Sequence, residues 1–159
     1  MKQIPLTKGK IALVDDEDYE EVSAYNWYAH YCPFGGGTWY AYYGGTSHGE
    51  RIRLKMHRMI MNAPDDTLID HVDHDGLNNQ KSNLRLCSKT ENGQNRKGPT
   101  ITNPTGYRGV SVRQHTKRFM ARICVNGKSI YLGYYNTPSE AHSAFEEAAR
   151  KYFGDFYGG

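Results

Sequence analysis

The sequence predicts an α+β protein in two parts: a β-rich front that runs into a compact hairpin-plus-helix, then a three-stranded antiparallel sheet packed on one helix. Three observations lead there. Arg51-Ile52-Arg53-Leu54-Lys55-Met56 alternates basic and apolar residues with period two, the pattern of a strand with one buried face. Two short segments, 68–72 and 84–87, run straight into Ser88-Lys89-Thr90-Glu91, a capping box that opens a helix. Asn126-Gly127 is a two-residue hairpin turn, because both central positions need positive φ, and it precedes a second capping box, Thr137-Pro138-Ser139-Glu140.

Taken in order, Lys10–Val14 reads as a short apolar strand ended by the acidic run Asp15-Asp16-Glu17-Asp18. Trp39–Tyr43 is a second strand, entered through Gly35-Gly36-Gly37, and Arg51–Met56 a third whose outer face is cationic. Leu68–Val72 and Leu84–Cys87 form a hairpin with turn chemistry at Asp75-Gly76. Residues 98–106, rich in Gly, Pro, Thr and Asn, have linker composition, which divides the chain into 1–97 and 107–159. Beyond it, Tyr107–Val112, Phe119–Val125 and Ser129–Tyr134 read as three strands. In the helix opened at Thr137, Ala141, Ala144, Phe145, Ala148, Ala149, Tyr152 and Phe153 recur at three- and four-residue steps, and Gly154 closes it.

The formal net charge of +3 hides a strong asymmetry. Residues 1–50 carry three Lys/Arg against seven Asp/Glu, whereas residues 92–139 carry eight Lys/Arg and no acid. A stretch of that length without a carboxylate fits a polyanionic partner, since Asp and Glu facing phosphate would be repelled. Cys32, Cys87 and Cys124 are odd in number and far apart, with no CxxC pair, which argues against a zinc ribbon and fits a reducing compartment. No apolar run approaches a membrane span, and the N-terminus is not an apolar signal segment, so the expectation is a soluble protein with no membrane partner.

The chemistry concentrates in residues 68–92. The first strand sets Asp70 and His71 side by side, and Asn92 sits early on the following helix. Phosphodiester hydrolysis needs a base to take a proton from water and a cation to neutralise charge on the phosphate. His71 has a suitable intrinsic pKa for the base, while Asp70 and Asn92 offer oxygen ligands suited to Mg²⁺. Singly, each of these residues reads as an ordinary strand or turn residue; their joint placement ahead of a capped helix points to function.

This segment resembles the ββα-metal motif of HNH homing endonucleases of phage and bacterial type. The match runs through His57-Arg58, Asp70-His71, Gly76-Leu77-Asn78-Asn79, Asn83-Leu84-Arg85 and Glu91-Asn92. The resemblance implies that His71 is the general base, Asp70 and Asn92 the metal ligands, and Asn83 the residue that braces the hairpin. It implies one divalent ion. With Asn where many relatives have His, Mg²⁺ is the expected metal and Mn²⁺ the alternative. Ile4–Lys10 and Asn26-Trp27-Tyr28-Ala29 also recur in HNH proteins of this layout, as scaffold and with DNA contact open.

Residues 107–153, through Tyr107-Arg108-Gly109-Val110, Tyr131-Leu132-Gly133-Tyr134-Tyr135 and Thr137-Pro138-Ser139-Glu140-Ala141, resemble the Apetala-type (ethylene-response-factor) DNA-binding domain. That resemblance implies a sheet laid in the major groove, and Arg108, Arg113, Lys117, Arg118, Arg122 and Lys128 are expected to form one cationic face toward double-stranded DNA. The expectation is therefore a metal-dependent DNA endonuclease with its own DNA-binding module, cytoplasmic in a bacterial or phage-infected cell, monomeric or weakly dimeric. A DNA-binding regulator with an inert HNH region, and an RNA-directed nuclease, are the rival classes.

Overall fold

In the computed structural model, which describes residues 1–33, 37–47, 49–96, 98–100 and 102–158, Lys2–Pro5 (β1) pairs antiparallel with Ile11–Val14 (β2). The strand expected at Lys10–Val14 is therefore the second arm of a hairpin. Gly35 and Gly36 of the expected strand entry, together with His48, Lys97 and Ile101, lie outside the described residues. The chain divides into two compact units, Met1–Asn92 and Gly93–Gly159. Residues 98–106, expected as the linker, thus belong to the second unit.

In the first unit a short helix, Tyr19–Ser23 (α1), leads to a three-stranded antiparallel sheet of Tyr28–Cys32 (β3), Thr38–Ser47 (β4) and Glu50–Lys55 (β5), with β4 central. Period-two alternation sorts its faces. Ala41, Tyr43 and Leu54 join Ile4, Ala12, Val14, Val22, Trp27, Met56 and Ile60 in the core. Tyr40 and Tyr42 alternate with those residues on β4 and so stand on the opposite face, paired across to His30 and Tyr28. Met56, expected as the last residue of the basic strand, instead begins a helical turn, Met56–Ile60 (α2). Its side chain is fully buried in the core, and the turn carries His57 inward as well.

Leu68–His71 (β6) and Leu84–Cys87 (β7) form the expected hairpin, in a register that sets Asp70 opposite Arg85 and His71 opposite Leu84. Ser88 and Glu91 exchange hydrogen bonds at 3.2 and 2.8 Å, the expected capping box, and open Lys89–Gln94 (α3). The hairpin loop is pinned to the N-terminal region. Leu13 donates its N–H to the Leu77 carbonyl and accepts one from Asn79, both at 2.8 Å. The acidic run has a matching role: Asp15 accepts from Gln80 at 3.0 Å and from the Lys81 amide at 2.8 Å, and the Lys81 ammonium meets Glu17 and Asp18 at 2.5 and 2.8 Å. The hydrogen bonds from Gln80 and Lys81 hold the Asp15 carboxyl below its ordinary pKa.

The second unit is a three-stranded antiparallel sheet, Val110–Arg113 (β8), Arg118–Val125 (β9) and Lys128–Tyr135 (β10), with β9 central. Asn126 and Gly127 have φ of +51° and +76°, the turn their sequence calls for. Pro138–Phe153 (α4) begins with the full Thr137–Glu140 capping box and ends at Gly154. Its Ala141, Phe145, Ala148, Ala149 and Phe153 bury against Val110, Ala121 and Ile123 of the sheet. The first strand starts at Val110 rather than Tyr107. The Asn103 amide donates to the carbonyls of Tyr107 and Val110 at 2.8 and 3.1 Å, which folds residues 103–110 into a corner. Gly109, at φ +75°, lies so close under the Phe145 ring that a Cβ there would overlap it.

Candidate active site and nucleic-acid interface

The antiparallel hairpin gathers three of the four residues expected in the nuclease site, the catalytic His71 and Asn83 and the metal ligand Asp70. Asp70, His71 and Asn83 are 7%, 5% and 8% exposed, a degree of burial unusual for such polar groups and sustained here by specific partners. Asn83 acts as a brace. Its amide donates to the Asp73 carboxylate at 2.9 Å and to the Asn78 carbonyl at 2.8 Å, and its oxygen accepts the Asp73 N–H at 3.0 Å. Asp73 in turn accepts from the Asp75 amide and the Asn78 side chain, both at 2.8 Å. Burial works to raise the Asp73 pKa, but these hydrogen bonds outweigh it and hold the carboxyl below its usual range. The loop that follows His71 is thereby fixed from within.

His71 lies in a triangle of rings. Its ring centroid is 5.2 Å from that of His57, at 89°, and 5.7 Å from Tyr40; His57 and Tyr40 are also 5.7 Å apart. Gly76 lets the loop close on this wall, because a Cβ there would overlap the Tyr40 ring and the Trp39 carbonyl. Burial pushes the His71 pKa down, while hydrogen bonding with Asn79 and the carboxylates of Asp73, Asp70 and Asp75 pull it partly back. The imidazole is neutral at pH 7, as a proton acceptor must be.

His57 is displaced further, to about 3, by burial first and then by His71, Lys55 and Arg58. Its Nδ1 is buried without a hydrogen-bond partner. Linkage gives a testable consequence. The folded state refuses a proton that the unfolded chain accepts below the ordinary value of 6.5, so stability is full above that pH and falls as pH drops from 6.5 toward 3. At about 1.4 kcal/mol per unit of displacement, the loss reaches roughly 4–5 kcal/mol at the acid end. Urea unfolding from pH 7 to pH 4 is expected to show a shallower acid limb in His57→Phe than in the wild type; superimposable limbs would contradict the assignment.

Sequence alone does not single out Arg85. Its Nε and Nη2 both donate to Asp70 Oδ2, at 2.9 and 2.7 Å, in a pair that is largely buried. The signal is present once the hairpin register is drawn, since the two residues face each other across the strands. Asn92 is exposed on α3, its backbone N–H bonded to the Ser88 carbonyl at 3.0 Å. Among the described residues no three His, Cys, Asp or Glu side chains gather as a metal cage. The expected ligands, the Asp70 carboxylate and the Asn92 amide on the next helix, offer hard oxygens that suit a hydrated divalent cation better than Zn²⁺.

The six basic residues expected on one face of the second unit separate into three groups. Arg113, Arg118 and Arg122 are exposed on the side of the sheet away from α4, alternating with the core-facing Phe119, Ala121 and Ile123. Tyr131, opposite Arg122, and Tyr134 share that side, 5.4 Å apart. Lys117 occupies the β8–β9 turn with φ +54°. Lys128 pairs with Val125, a residue packed under the helix, so it leaves from the other side of the sheet. Arg108 is occupied within its own unit: it donates to the carbonyls of Arg96 and Gly93 at 2.6 and 3.0 Å and lies over the Phe145 ring. A single face of six cations is therefore corrected to three arginines flanked by tyrosines.

Residues 62–94 match the family model described as HNH endonuclease, and residues 105–155 match that of the AP2 domain. Over 155 residues, 94% of this chain and 74% of the relative, the sequence is 29% identical to a protein of Acanthamoeba polyphaga mimivirus named as an uncharacterized HNH endonuclease. No solved structure matches the chain. The two resemblances read from sequence thus stand, in the same order along the chain. No helix of the described residues is long and apolar enough to cross a membrane.

Proposed function

We propose that this chain, which carries an HNH endonuclease segment followed by an AP2 domain, is a metal-dependent endonuclease that hydrolyses phosphodiester bonds in double-stranded DNA. The observation that carries the reading is the buried, neutral His71, walled by two rings and set beside Asp70 on a hairpin braced by Asn83. His71 accepts a proton from the attacking water as the new P–O bond forms. The bond to the departing sugar oxygen breaks, and that oxygen takes its proton from solvent. Asp70 and Asn92 would hold the divalent ion, Mg²⁺ or Mn²⁺, which supplies Lewis-acid neutralisation of the phosphate charge. Arg85, through its two hydrogen bonds to Oδ2, orients the Asp70 carboxylate. Asn83 holds the loop through which His71 is aimed.

The AP2 unit supplies affinity. Arg113, Arg118 and Arg122 form its phosphate-binding row, with Lys117 at the end of the sheet and Tyr131 and Tyr134 beside them. Replacing Arg113 and Arg122 by Gln is expected to weaken binding and to lower the slope of log K against log salt by about 1.8, close to 0.9 for each phosphate no longer neutralised. An unchanged slope would remove both arginines from the interface. Cleavage of plasmid DNA that needs added Mg²⁺ or Mn²⁺ tests the reading as a whole; binding that never proceeds to cleavage would favour the inert regulator.

A further inference from the structure

The first unit has a nucleic-acid surface of its own. Residues 1–92 carry ten Lys/Arg against thirteen Asp/Glu, so the unit is acidic as a whole. Its sheet nevertheless turns one cationic face outward. On β5, Arg51, Arg53 and Lys55 are exposed and alternate with Ile52 and Leu54, which are turned the other way. Across the strand they pair with Thr46, Gly44 and Tyr42. Residues directly opposite in an antiparallel pair point to the same face, so this face continues through Tyr42 to Tyr28 and, one step along β4, to Tyr40 and His30. Ring and cation contacts confirm the sorting. The Lys55 ammonium stands 5.5 Å over the Tyr42 ring, and Tyr42 is 6.1 Å from Tyr28 and 5.0 Å from His30. Glu50 precedes Arg51 and points away by alternation, and Asp65, which lines a pocket with Arg53 and Lys55, pairs with Arg58 at 3.9 Å.

This face ends at the candidate catalytic histidine. Tyr40, on the same side of β4, is the ring that meets both His57 and His71. A line of positive charge therefore leads along the sheet to the residue that accepts the proton, with alternate residues roughly 6.6 Å apart.

We propose that the outer face of β3–β5, through Arg51, Arg53 and Lys55 and the rings of Tyr28 and Tyr42, binds the phosphate backbone of the DNA next to the bond that is cut. The inference rests on the endonuclease reading and adds to it a second phosphate-binding surface, outside the AP2 unit and outside the matched HNH segment. Charge complementarity selects the partner. A row of cations in an acidic unit is attractive to a polyanion at short range and weakly so to anything else, and the aromatic floor suits sugars and bases. Lys55 serves both contacts, since it already sits on the Tyr42 ring.

The test uses the full chain on supercoiled plasmid, with cleavage measured at limiting substrate across a range of KCl concentrations. Arg51→Gln/Arg53→Gln is expected to lower the slope of log(kcat/KM) against log salt by about 1.8 and to cut kcat/KM by roughly tenfold at physiological salt. Arg51→Lys/Arg53→Lys is expected to recover most of the loss, and Lys2→Gln/Lys151→Gln, which removes two cations elsewhere, to leave the slope unchanged. Both arginines are exposed, so urea unfolding of the Gln pair should match the wild type. A wild-type chain that cleaves while the Gln pair keeps its slope and rate would overturn this surface alone. A wild-type chain that neither binds nor cleaves DNA would overturn the endonuclease reading, and this surface with it.

Discussion

His71→Ala is expected to lower the cleavage rate by about 10²–10⁴-fold, the range that a positioned general base supplies, while leaving DNA affinity within a small factor. The asymmetry follows from where the side chain sits. His71 is 5% exposed, enclosed by Tyr40 and His57, and neutral, so it contributes little surface or charge to the binding of a polyanion. The cations proposed to hold DNA are elsewhere, on β8, β9 and β5. Removing the ring also opens a cavity between two aromatic neighbours, so stability has to be followed in parallel. His71→Gln keeps most of the volume and no usable base, and should be as inactive as the alanine variant. A folded His71→Ala protein that no longer binds DNA would sink the role given to this residue, as would one that cleaves at the wild-type rate.

Asp70→Ala is expected to cost about 3–5 kcal/mol of stability, the loss typical of removing one member of a buried ion pair. The Arg85 guanidinium brings two nitrogens to Asp70 Oδ2, and both side chains are largely withdrawn from solvent, so truncating the carboxylate leaves a cation in a poor dielectric environment. Asp70→Ala/Arg85→Met should recover a substantial part of that loss, since it removes the stranded charge. Cleavage should be lost in both. Urea unfolding of the two variants beside the wild type checks this; a single variant within about 1 kcal/mol of wild type would show that the pair contributes little.

Much of this was legible in the sequence because it is local. Both capping boxes and the Asn126-Gly127 turn are set by residues within a few positions of each other, and the β6–β7 hairpin by two short segments on either side of one turn. β1 was not legible, since only Ile4 of its four residues is buried and no alternation can be read from one position. The end of the basic strand was misplaced by one residue because Met56 suits a buried strand and a buried helix equally well. The wall of the site was illegible for a different reason. Tyr40, His57 and His71 come from β4, α2 and β6, and nothing local ties a tyrosine in an aromatic strand to a histidine 31 positions later. Arg108 shows the limit of charge as a guide: basic by composition, it is held by the carbonyls of its own chain. Arg85 lay between these cases, available from the register but not from its own neighbours.

The most direct measurement is the conversion of supercoiled plasmid by the full chain in Mg²⁺, with and without EDTA, beside His71→Ala. The account predicts relaxed circles or linear product that appear only with metal and vanish in the variant, with relaxed circles first if one unit cuts one strand at a time. Cleavage that persists in EDTA or in His71→Ala, or DNA that is bound across varied sequences and never cut, would contradict it.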